Sequence, residues 1–191
     1  MPDRNQAALD FLANRRSRPA KTLQGPVPSR EELRDLLTIA ARTPDHGKLE
    51  PWRFIVLNKP RLQNLRDAVA EAGERLSQPQ DKVEKMTDQF GNAELAVAVI
   101  FTPKPSPKIP EIEQLYSAGA VCLALLNAAL AAGWGANWLS GWCSHDREWC
   151  DTAMSLDPRE RVAGFIHIGT ETSAPPERPR PDIDAITDWP A

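Results

Sequence analysis

The sequence predicts an α+β fold, in which helices and strands follow one another in mixed order. Two runs rich in β-branched and apolar residues, 52–57 and 93–101, have the length and composition of strands. Amphipathic helical patterns surround them, and the apolar stretch 118–132 predicts a long buried helix from Glu111 to Ala132. At 191 residues the chain suffices for one hydrophobic core, so we expect residues 1–191 to form a single domain.

A cluster of basic side chains follows the first predicted helix, which ends at Asn14. Arg15, Arg16 and Arg18 surround the hydroxyl of Ser17. A guanidinium presents a planar fork of donors that matches a phosphate group, and a serine hydroxyl adds a short donor. The cluster therefore indicates a phosphorylated ligand. The alternative is a solvated basic run that complements the helix dipole.

A polar loop joins the second predicted helix to the first strand. Ser29 has a capping residue's chemistry for the helix Arg30 to Arg42, and Pro44 prevents that helix from continuing. Asp45, His46 and Lys48 are then held between a helix end and a strand. Catalytic and ligand-binding groups collect at such junctions, although an ordinary solvated turn has the same composition.

The remaining elements are simpler. Helices at 60–77 and 80–90 are expected as a surface excursion between the two strands, and the proline-rich 102–110 as an exposed connection. A helix is expected at 143–156, capped by Ser144, followed by a strand at 162–170. The tail, 173–191, lacks a core pattern but carries Ile183, Ile186 and Trp189, which could be buried against another surface.

Composition excludes several classes of function. The net charge of −3 offers no general field for nucleic acid, and no signal peptide or membrane anchor is visible at the N-terminus. The apolar stretch 118–132 is shorter than the about 20 residues that cross a bilayer. The three cysteines fit neither a disulfide framework nor a zinc site and are expected as reduced thiols in a cytoplasmic protein. No Ser-His-Asp arrangement, phosphate loop or metal spacing is present, and His145 and His167 are interpreted as structural.

Four motifs, in order, carry a resemblance to a known family. They are Arg15-Arg16-Ser17; Arg42-Thr43-Pro44-Asp45-His46 with Pro51-Trp52-Arg53-Phe54; the turn and strand from Gly133-Trp134-Gly135 to Ser140-Gly141; and a late strand closing on Gly169-Thr170. In this combination the chain resembles the FMN-dependent nitroreductase family, most closely its small YdjA-like branch, from about residue 6 to residue 170. The resemblance implies a mostly antiparallel central sheet flanked by helices in three αβα layers. It also implies a homodimer whose long central helix lies at the interface, with 173–191 extending onto the partner.

The resemblance also assigns the binding residues. FMN would be held at its phosphate and ribityl end by Arg15, Arg16 and Ser17. Residues Pro44 to Lys48 would line the flavin ring from the other subunit, with His46 and Lys48 as contacts in trans. Lys48 or Arg42 would supply positive charge to the reduced ring, the backbone of Leu139 or Ser140 would donate to its N5 and O4, and Trp138 would be an apolar wall.

The chain departs from the family pattern in three places. Pro19 stands where larger relatives have a lysine directed at the ring, so Lys21 and Arg18 are the candidates to replace it. Leu139 stands where the branch often has an arginine. Arg178 or Arg180 is placed where a basic tail reaches the phosphate in other relatives, although a solvated tail is the favoured interpretation.

The function implied is an oxidoreductase that reduces nitroaromatics, quinones or similar small electrophiles with NAD(P)H. In such enzymes hydride passes from the nicotinamide to FMN and then to the acceptor in a ping-pong cycle, so no catalytic side chain is required. The alternatives are other flavin chemistry on the same fold, such as dehydrogenation or flavin breakdown, and a flavin-binding protein without turnover. No dinucleotide fingerprint distinguishes NADH from NADPH.

Overall fold

The computed structural model describes residues 3–190, and its strands form one antiparallel sheet of five strands. The strand order is β1-β5-β3-β2, and β4 pairs with residues 165–169 of β5. The strands are β1 Leu23–Gln24, β2 Trp52–Asn58, β3 Leu95–Phe101, β4 Gly135–Leu139 and β5 Arg161–Glu171. The long β5 thus connects all parts of the sheet, since it pairs with β1, β3 and β4.

Within the described part of the chain, six α-helices cover the two faces of this sheet. They are α1 Gln6–Asn14, α2 Arg30–Ala40, α3 Lys59–Arg75, α4 Gln80–Gly91, α5 Glu111–Ala131 and α6 Arg147–Met154. Successive side chains of a strand point to opposite faces, and β3 shows the consequence. Its Leu95, Val97 and Val99 pack against α2 and α5, whereas Ala96, Ala98 and Ile100 pack against α3, α4 and α6. The predicted α+β class with three layers is confirmed.

Local signals explain where α2 begins and ends. The Ser29 hydroxyl accepts from the Glu32 N–H at 3.2 Å, and the Glu32 carboxylate accepts from the Ser29 N–H at 2.8 Å. This reciprocal pair satisfies two donors that a helix start leaves free. The helix ends at Ala40, shortly before Pro44, as the sequence predicted to within two residues.

The start of α6 differs from the sequence expectation. The predicted helix from Cys143, capped by Ser144, is instead a 3₁₀ turn, Trp142–His145, followed by α6 from Arg147. The cap is Asp146, whose carboxylate accepts from the Trp149 N–H at 2.9 Å. Ser144 is buried, and its hydroxyl accepts a long 3.4 Å bond from the Gly141 N–H.

Helices α3 and α4 also differ from their expected role as a surface excursion. Leu62, Leu65 and Val69 of α3 and Met86 and Phe90 of α4 are buried against the sheet. Most of one outer layer is therefore built from these two helices. Their position brings α4 close to the end of β4, where Gly141 packs directly against Met86.

Helix α5 has 21 residues and includes an 18-residue window of mean hydropathy 1.5, half of which is buried. By length and composition alone it could cross a membrane, contrary to the expectation that it is too short, but the buried helix of a soluble core passes the same test. Its buried residues pack against α2, β3 and β5, which is the arrangement of a core helix.

The cysteines and the tail complete the description. Cys122, Cys143 and Cys150 are free and buried, and burial raises the pKa of the Cys122 and Cys143 thiols to about 12. The tail makes a short 3₁₀ turn, Asp184–Ile186, and exposes Ile183, Ile186 and Trp189.

Candidate functional site

The segment from Arg15 to Lys21 lies alongside β4. The Arg18 N–H donates to the Ala136 carbonyl at 2.8 Å, and the Asn137 amide donates back to the Arg18 carbonyl at 2.7 Å. These two bonds fix Arg18 beside the middle of β4, while Arg15 lines a cavity with Trp134 before the strand and Lys21 lines a cavity with Leu139 at its end. From Trp134 to Leu139 is five residue steps, or about 17 Å along a strand.

A cavity of about 300 Å³ opens at the start of β4, and we call it the arginine cavity. It is lined by Phe11, Asn14, Arg15, Arg16, Arg18, Leu130, Gly133, Trp134 and Glu171. The Arg15 guanidinium donates to the Ser17 hydroxyl at 3.0 Å, which joins two of the predicted phosphate ligands. The Nε atoms of Arg15 and Arg16 are buried and have no hydrogen-bond partner among residues 3–190.

The electrostatics of the arginine cavity favour an anion. Burial, followed by the charges of Arg180 and Arg16, lowers the pKa of Arg15 below the ordinary arginine value. Among the described residues, 3–190, Arg18 is the one cavity-lining arginine with an ion pair, to Glu171 at 3.2 Å. A bound anion would relieve the repulsion and accept from the unused donors.

A larger cavity of about 490 Å³ opens at the other end of β4, and we call it the α4 cavity. Its walls are Leu139 of β4, a face of α4, and the 3₁₀ turn that carries Lys21; the lining residues are Ala20, Lys21, Asp81, Glu84, Lys85, Asp88, Gln89, Asn92, Ala93 and Leu139. Of the two candidates to replace the missing lysine at Pro19, Lys21 lies here, whereas Arg18 lies in the arginine cavity and is paired with Glu171.

Trp138, Leu139 and Ser140 were predicted to contact the flavin ring at the end of β4. Because side chains alternate along a strand, those of Trp138 and Leu139 lie on opposite faces of the sheet. Leu139 lies opposite Phe165, on the α4 side of the sheet, whereas Trp138 lies opposite Ile166, on the α5 side. The Trp138 indole packs over Gly164 and does not line the α4 cavity. Ser140 is exposed just beyond the strand end.

The loop after α2 lies against the first half of α5. Ser117 of α5 donates to the Pro44 carbonyl at 2.9 Å and accepts from the Trp52 indole at 3.2 Å, and His46 contacts Glu113 at 2.6 Å. Pro44 and His46 line a third, shallow groove with Glu113, Tyr116, Ser117 and Ala120. A 3₁₀ turn with Gly47 at φ +76° presents these residues, a backbone conformation that glycine adopts without strain.

Within one chain, the structure brings together only part of the predicted site. Arg15, Arg16 and Ser17 form one group, and Leu139 lies at the far end of the strand beside them. Pro44 and His46 line a different groove, while Arg42 and Lys48 are exposed and line none of the three cavities. Whether 44–48 meets the flavin of another subunit stays a prediction.

The sequence reasoning missed the contribution of α4. Asp81, Lys85, Asp88 and Asn92 recur at spacings of three or four residues, which places them along one face of a helix. That periodicity could have indicated a polar face, but not that the face is turned toward β4.

His167 is a buried titratable residue in β5, the strand that pairs with β4. It is buried in β5, opposite Asn137, and neither ring nitrogen has a hydrogen-bond partner within the described part of the chain. Burial lowers its pKa to about 4, so the ring is neutral at pH 7. This agrees with the structural role expected for it.

The fold is that of the nitroreductase-like proteins. The crystal structure of a nitroreductase-like family protein from Bacillus cereus superposes with a TM-score of 0.81 at 22% identity, covering 99% of this chain and 98% of that one. A proposed nitroreductase from Desulfovibrio desulfuricans, solved in complex with FMN, superposes with a TM-score of 0.73 at 21% identity, covering 98% and 99%.

Sequence similarity then gives the family. The pattern of the Nitroreductase family matches residues 12–170. YdjA of Escherichia coli strain K12, a proposed NAD(P)H nitroreductase, is 33% identical over 167 residues, which cover 85% of this chain and 87% of YdjA. The chain belongs to the nitroreductase family. The family and the enzyme class expected from the four motifs are confirmed, and the expected FMN and NAD(P)H agree with the names of these relatives.

Proposed function

We propose that the protein is an FMN-dependent oxidoreductase that reduces nitroaromatics, quinones or similar small electrophiles with NAD(P)H. The observation that carries this proposal is the arrangement along β4. An arginine-lined cavity at its start and a larger cavity at its end are connected by the segment 15–21. FMN has the matching shape, with a phosphate at one end of a polar chain and a flat ring at the other.

The phosphate end of FMN fits the arginine cavity. Arg15 and Ser17 already share a hydrogen bond, and the buried Nε atoms of Arg15 and Arg16 are donors without partners among residues 3–190. A phosphate oxygen is the acceptor that such donors match best. In this proposal the two arginines hold the phosphate, and Ser17 orients its junction with the ribityl chain.

The ring end of FMN fits the α4 cavity. The backbone of Leu139 and Ser140 lies where β4 ends, and in this proposal an N–H group of one of these two residues donates to the ring edge. Two lysines, Lys21 and Lys85, and three acidic residues, Asp81, Glu84 and Asp88, line this cavity, so in this proposal a lysine close to the ring, and not the net charge of the cavity, favours the electron-rich reduced ring. Helix α4 covers the cavity and limits the access of water. The chemistry that FMN supplies when bound is hydride transfer from NAD(P)H to the ring and from the ring to an acceptor.

We propose further that the active form is a cytoplasmic homodimer. Several large apolar side chains are exposed on α1, α2 and α5, namely Leu9, Leu12, Ile39, Tyr116 and Leu123. Burying such side chains is favourable, and a second copy would cover them. In this arrangement residues 6–170 form the core, 173–191 extend onto the partner, and Pro44, His46 and Lys48 reach the partner's flavin together with Arg42.

The visible spectrum of the purified protein tests the cofactor, and oxidation of NADH and NADPH with a nitroaromatic or quinone acceptor tests the activity. We expect the absorption of oxidised flavin at one FMN per chain, bleached by NAD(P)H and restored by the acceptor. A colourless protein that cannot be reconstituted with FMN would refute the proposal. Stoichiometric FMN without turnover on any acceptor would instead indicate a flavin-binding protein.

A further inference from the structure

The arginine cavity also contains a carboxylate, that of Glu171. Glu171 is the last residue of β5, and a Cβ atom on Gly135, where β4 begins, would lie 3.3 Å from its Cβ. One carboxylate oxygen, Oε2, pairs with the Nε of Arg18 at 3.2 Å. The other, Oε1, is buried and has no hydrogen-bond partner among residues 3–190. The side chain therefore lines the cavity with one oxygen engaged and one oxygen unused.

The cavity thus combines unused donors with an unused acceptor. Within the described part of the chain, the buried Nε atoms of Arg15 and Arg16 have no acceptor, and Oε1 of Glu171 has no donor. Buried polar groups in native structures are nearly always paired, so each of these three atoms needs an explanation. A fully ionised phosphate carries acceptor oxygens only, and it can satisfy the arginines but not the carboxylate. A ligand that satisfies both has a hydroxyl group close to its phosphate.

We propose that Oε1 of Glu171 accepts a hydrogen bond from a ribityl hydroxyl of FMN, so that the arginine cavity selects a phosphorylated polyol and not a phosphate alone. This inference rests on the proposed function, which places the ribityl chain along β4 between the two cavities. Glu171 lies at the start of that path, in the same cavity as the arginines, where the hydroxyls nearest the phosphate would lie. The ion pair with Arg18 holds the carboxylate in place and reduces its repulsion of the phosphate.

Removal of this carboxylate has two opposite effects on FMN. The lost hydrogen bond to the hydroxyl weakens binding, whereas the lost negative charge beside the arginines strengthens binding of the phosphate. Two other flavins separate the effects. Riboflavin has the ribityl hydroxyls but no phosphate. A flavin with a phosphopentyl chain in place of the ribityl phosphate has the phosphate but no hydroxyls, and we call it the phosphopentyl flavin.

The first test measures riboflavin binding to the flavin-free full chain by flavin fluorescence. Glu171→Met should weaken riboflavin by about ten- to a hundredfold, the range for a hydrogen bond to a charged group. Glu171→Gln keeps an acceptor oxygen and should weaken it less. The matched control is Glu111→Met, which removes a carboxylate that also pairs with an arginine but lies outside the cavity, and it should change nothing. Unchanged riboflavin binding in Glu171→Met would overturn the proposal.

The second test compares FMN with the phosphopentyl flavin. The unaltered chain should prefer FMN, and Glu171→Met should reduce that preference about tenfold or more, because the hydroxyl and the carboxylate act on one contact. The same variant should bind the phosphopentyl flavin more tightly, since a negative charge is gone. A preference for FMN that persists undiminished would mean that Glu171 acts only as a charge and would refute its role toward the hydroxyl. If the unaltered chain binds none of the three flavins, the proposed function itself fails, so the two failures are distinguishable.

Discussion

At the scale of single residues, Arg15 shows the conflict between the stability of the fold and the binding of an anion. Its guanidinium is partly buried beside Arg16 and Arg180, and its Nε has no partner among residues 3–190. A fold selected only for stability would avoid such clustering, because unpaired charge loses solvation and gains repulsion. A bound anion would reduce this repulsion and accept from the unpartnered Nε.

Arg15→Ala is the first prediction at this scale. The variant should bind FMN about ten- to a hundredfold more weakly, since a charge-assisted hydrogen bond contributes about 1.5 to 3 kcal/mol. Its affinity for riboflavin, which lacks the phosphate, should change little. Titration of the flavin-free protein with each flavin measures both values, and equal losses would show that Arg15 is merely structural.

Glu160 is a buried carboxylate with a purely structural role. It accepts two hydrogen bonds from Arg53, each at 2.7 Å, and one from the Thr102 hydroxyl at 3.0 Å. These donors, Arg53 foremost, lower its pKa to about 2. The ionised form is therefore bound more strongly in the folded state than in the unfolded chain.

The second prediction is a pH-dependent loss of stability in Glu160→Gln. We expect a loss of about 2 kcal/mol at pH 7, because the variant leaves the charged donors poorly matched. Since the folded pKa is below the unfolded value of 4.5, the stabilisation is present above about pH 4.5 and is lost as the pH falls toward 2. Urea unfolding at pH 7 and pH 3 measures the difference. The control variant Glu111→Gln removes an exposed carboxylate paired with Arg159 and should lose almost no stability. A loss of stability in Glu160→Gln that is the same at both pH values would contradict the explanation.

At the scale of elements, the contact between β4 and β5 depends on the absence of a side chain. The Trp138 indole lies so close to Gly164 that a Cβ there would be 2.0 Å from the indole Nε1. Any larger residue must displace the indole or separate the strands. The packing of the Trp138 indole thus explains a glycine at position 164.

The third prediction is a double-mutant cycle on this contact. Gly164→Ala should destabilise the protein by about 1 to 3 kcal/mol through overpacking. In the Trp138→Ala background the same change should cost little, because the obstructing ring is gone. Chemical unfolding of the four proteins gives the coupling. Additive effects would show that the indole moves aside without cost.

How well an element was predicted depended on whether its signals are local. Ser29, Glu32 and Pro44 fix α2 within a few residues of sequence, and its limits were predicted well. The predicted start of α6 was wrong because Ser144 and Asp146, two residues apart, are both suitable N-cap residues. Burial of Ser144 in the tertiary structure decides between them. The layer in which α3 and α4 pack is likewise a long-range property.

The candidate site divides in the same way. Arg15, Arg16 and Ser17 are adjacent in the chain, so a sequence motif could identify the group. The α4 cavity joins Lys21, Lys85 and Leu139, which only packing brings together. Trp138 was assigned to the ring through its indole and Leu139 or Ser140 through the backbone, and it is the indole that strand alternation places on the face opposite the α4 cavity.

At the scale of the whole molecule, the two halves of the predicted site are separate in one chain. The arginine cavity lies beside β4, whereas Pro44 and His46 line a groove on α5. The exposed apolar side chains of α1 and α5 support the proposal of a second copy. A two-fold axis would give each site one half from each chain.

The fourth prediction is complementation between two inactive variants. One carries Arg15→Ala and the other both His46→Ala and Lys48→Ala, so a heterodimer contains one doubly altered site and one intact site. Activity with NAD(P)H should return to about half of the wild-type value per heterodimer, as two-fold symmetry requires. No recovery under proven subunit exchange would place both groups in the site of a single chain.

The three buried thiols can be used to measure partial opening of the structure, because they react only when they are exposed. Cys122 is enclosed by the α2 and α5 layer, whereas Cys143 and Cys150 are enclosed by the layer of α3, α4 and α6. A thiol-specific reagent reaches such groups only through fluctuations that expose them, so its rate of reaction measures how often each layer detaches from the sheet. Comparing the labelling of Cys122 with that of the other two, with and without flavin, would show which side of the sheet the cofactor holds closed.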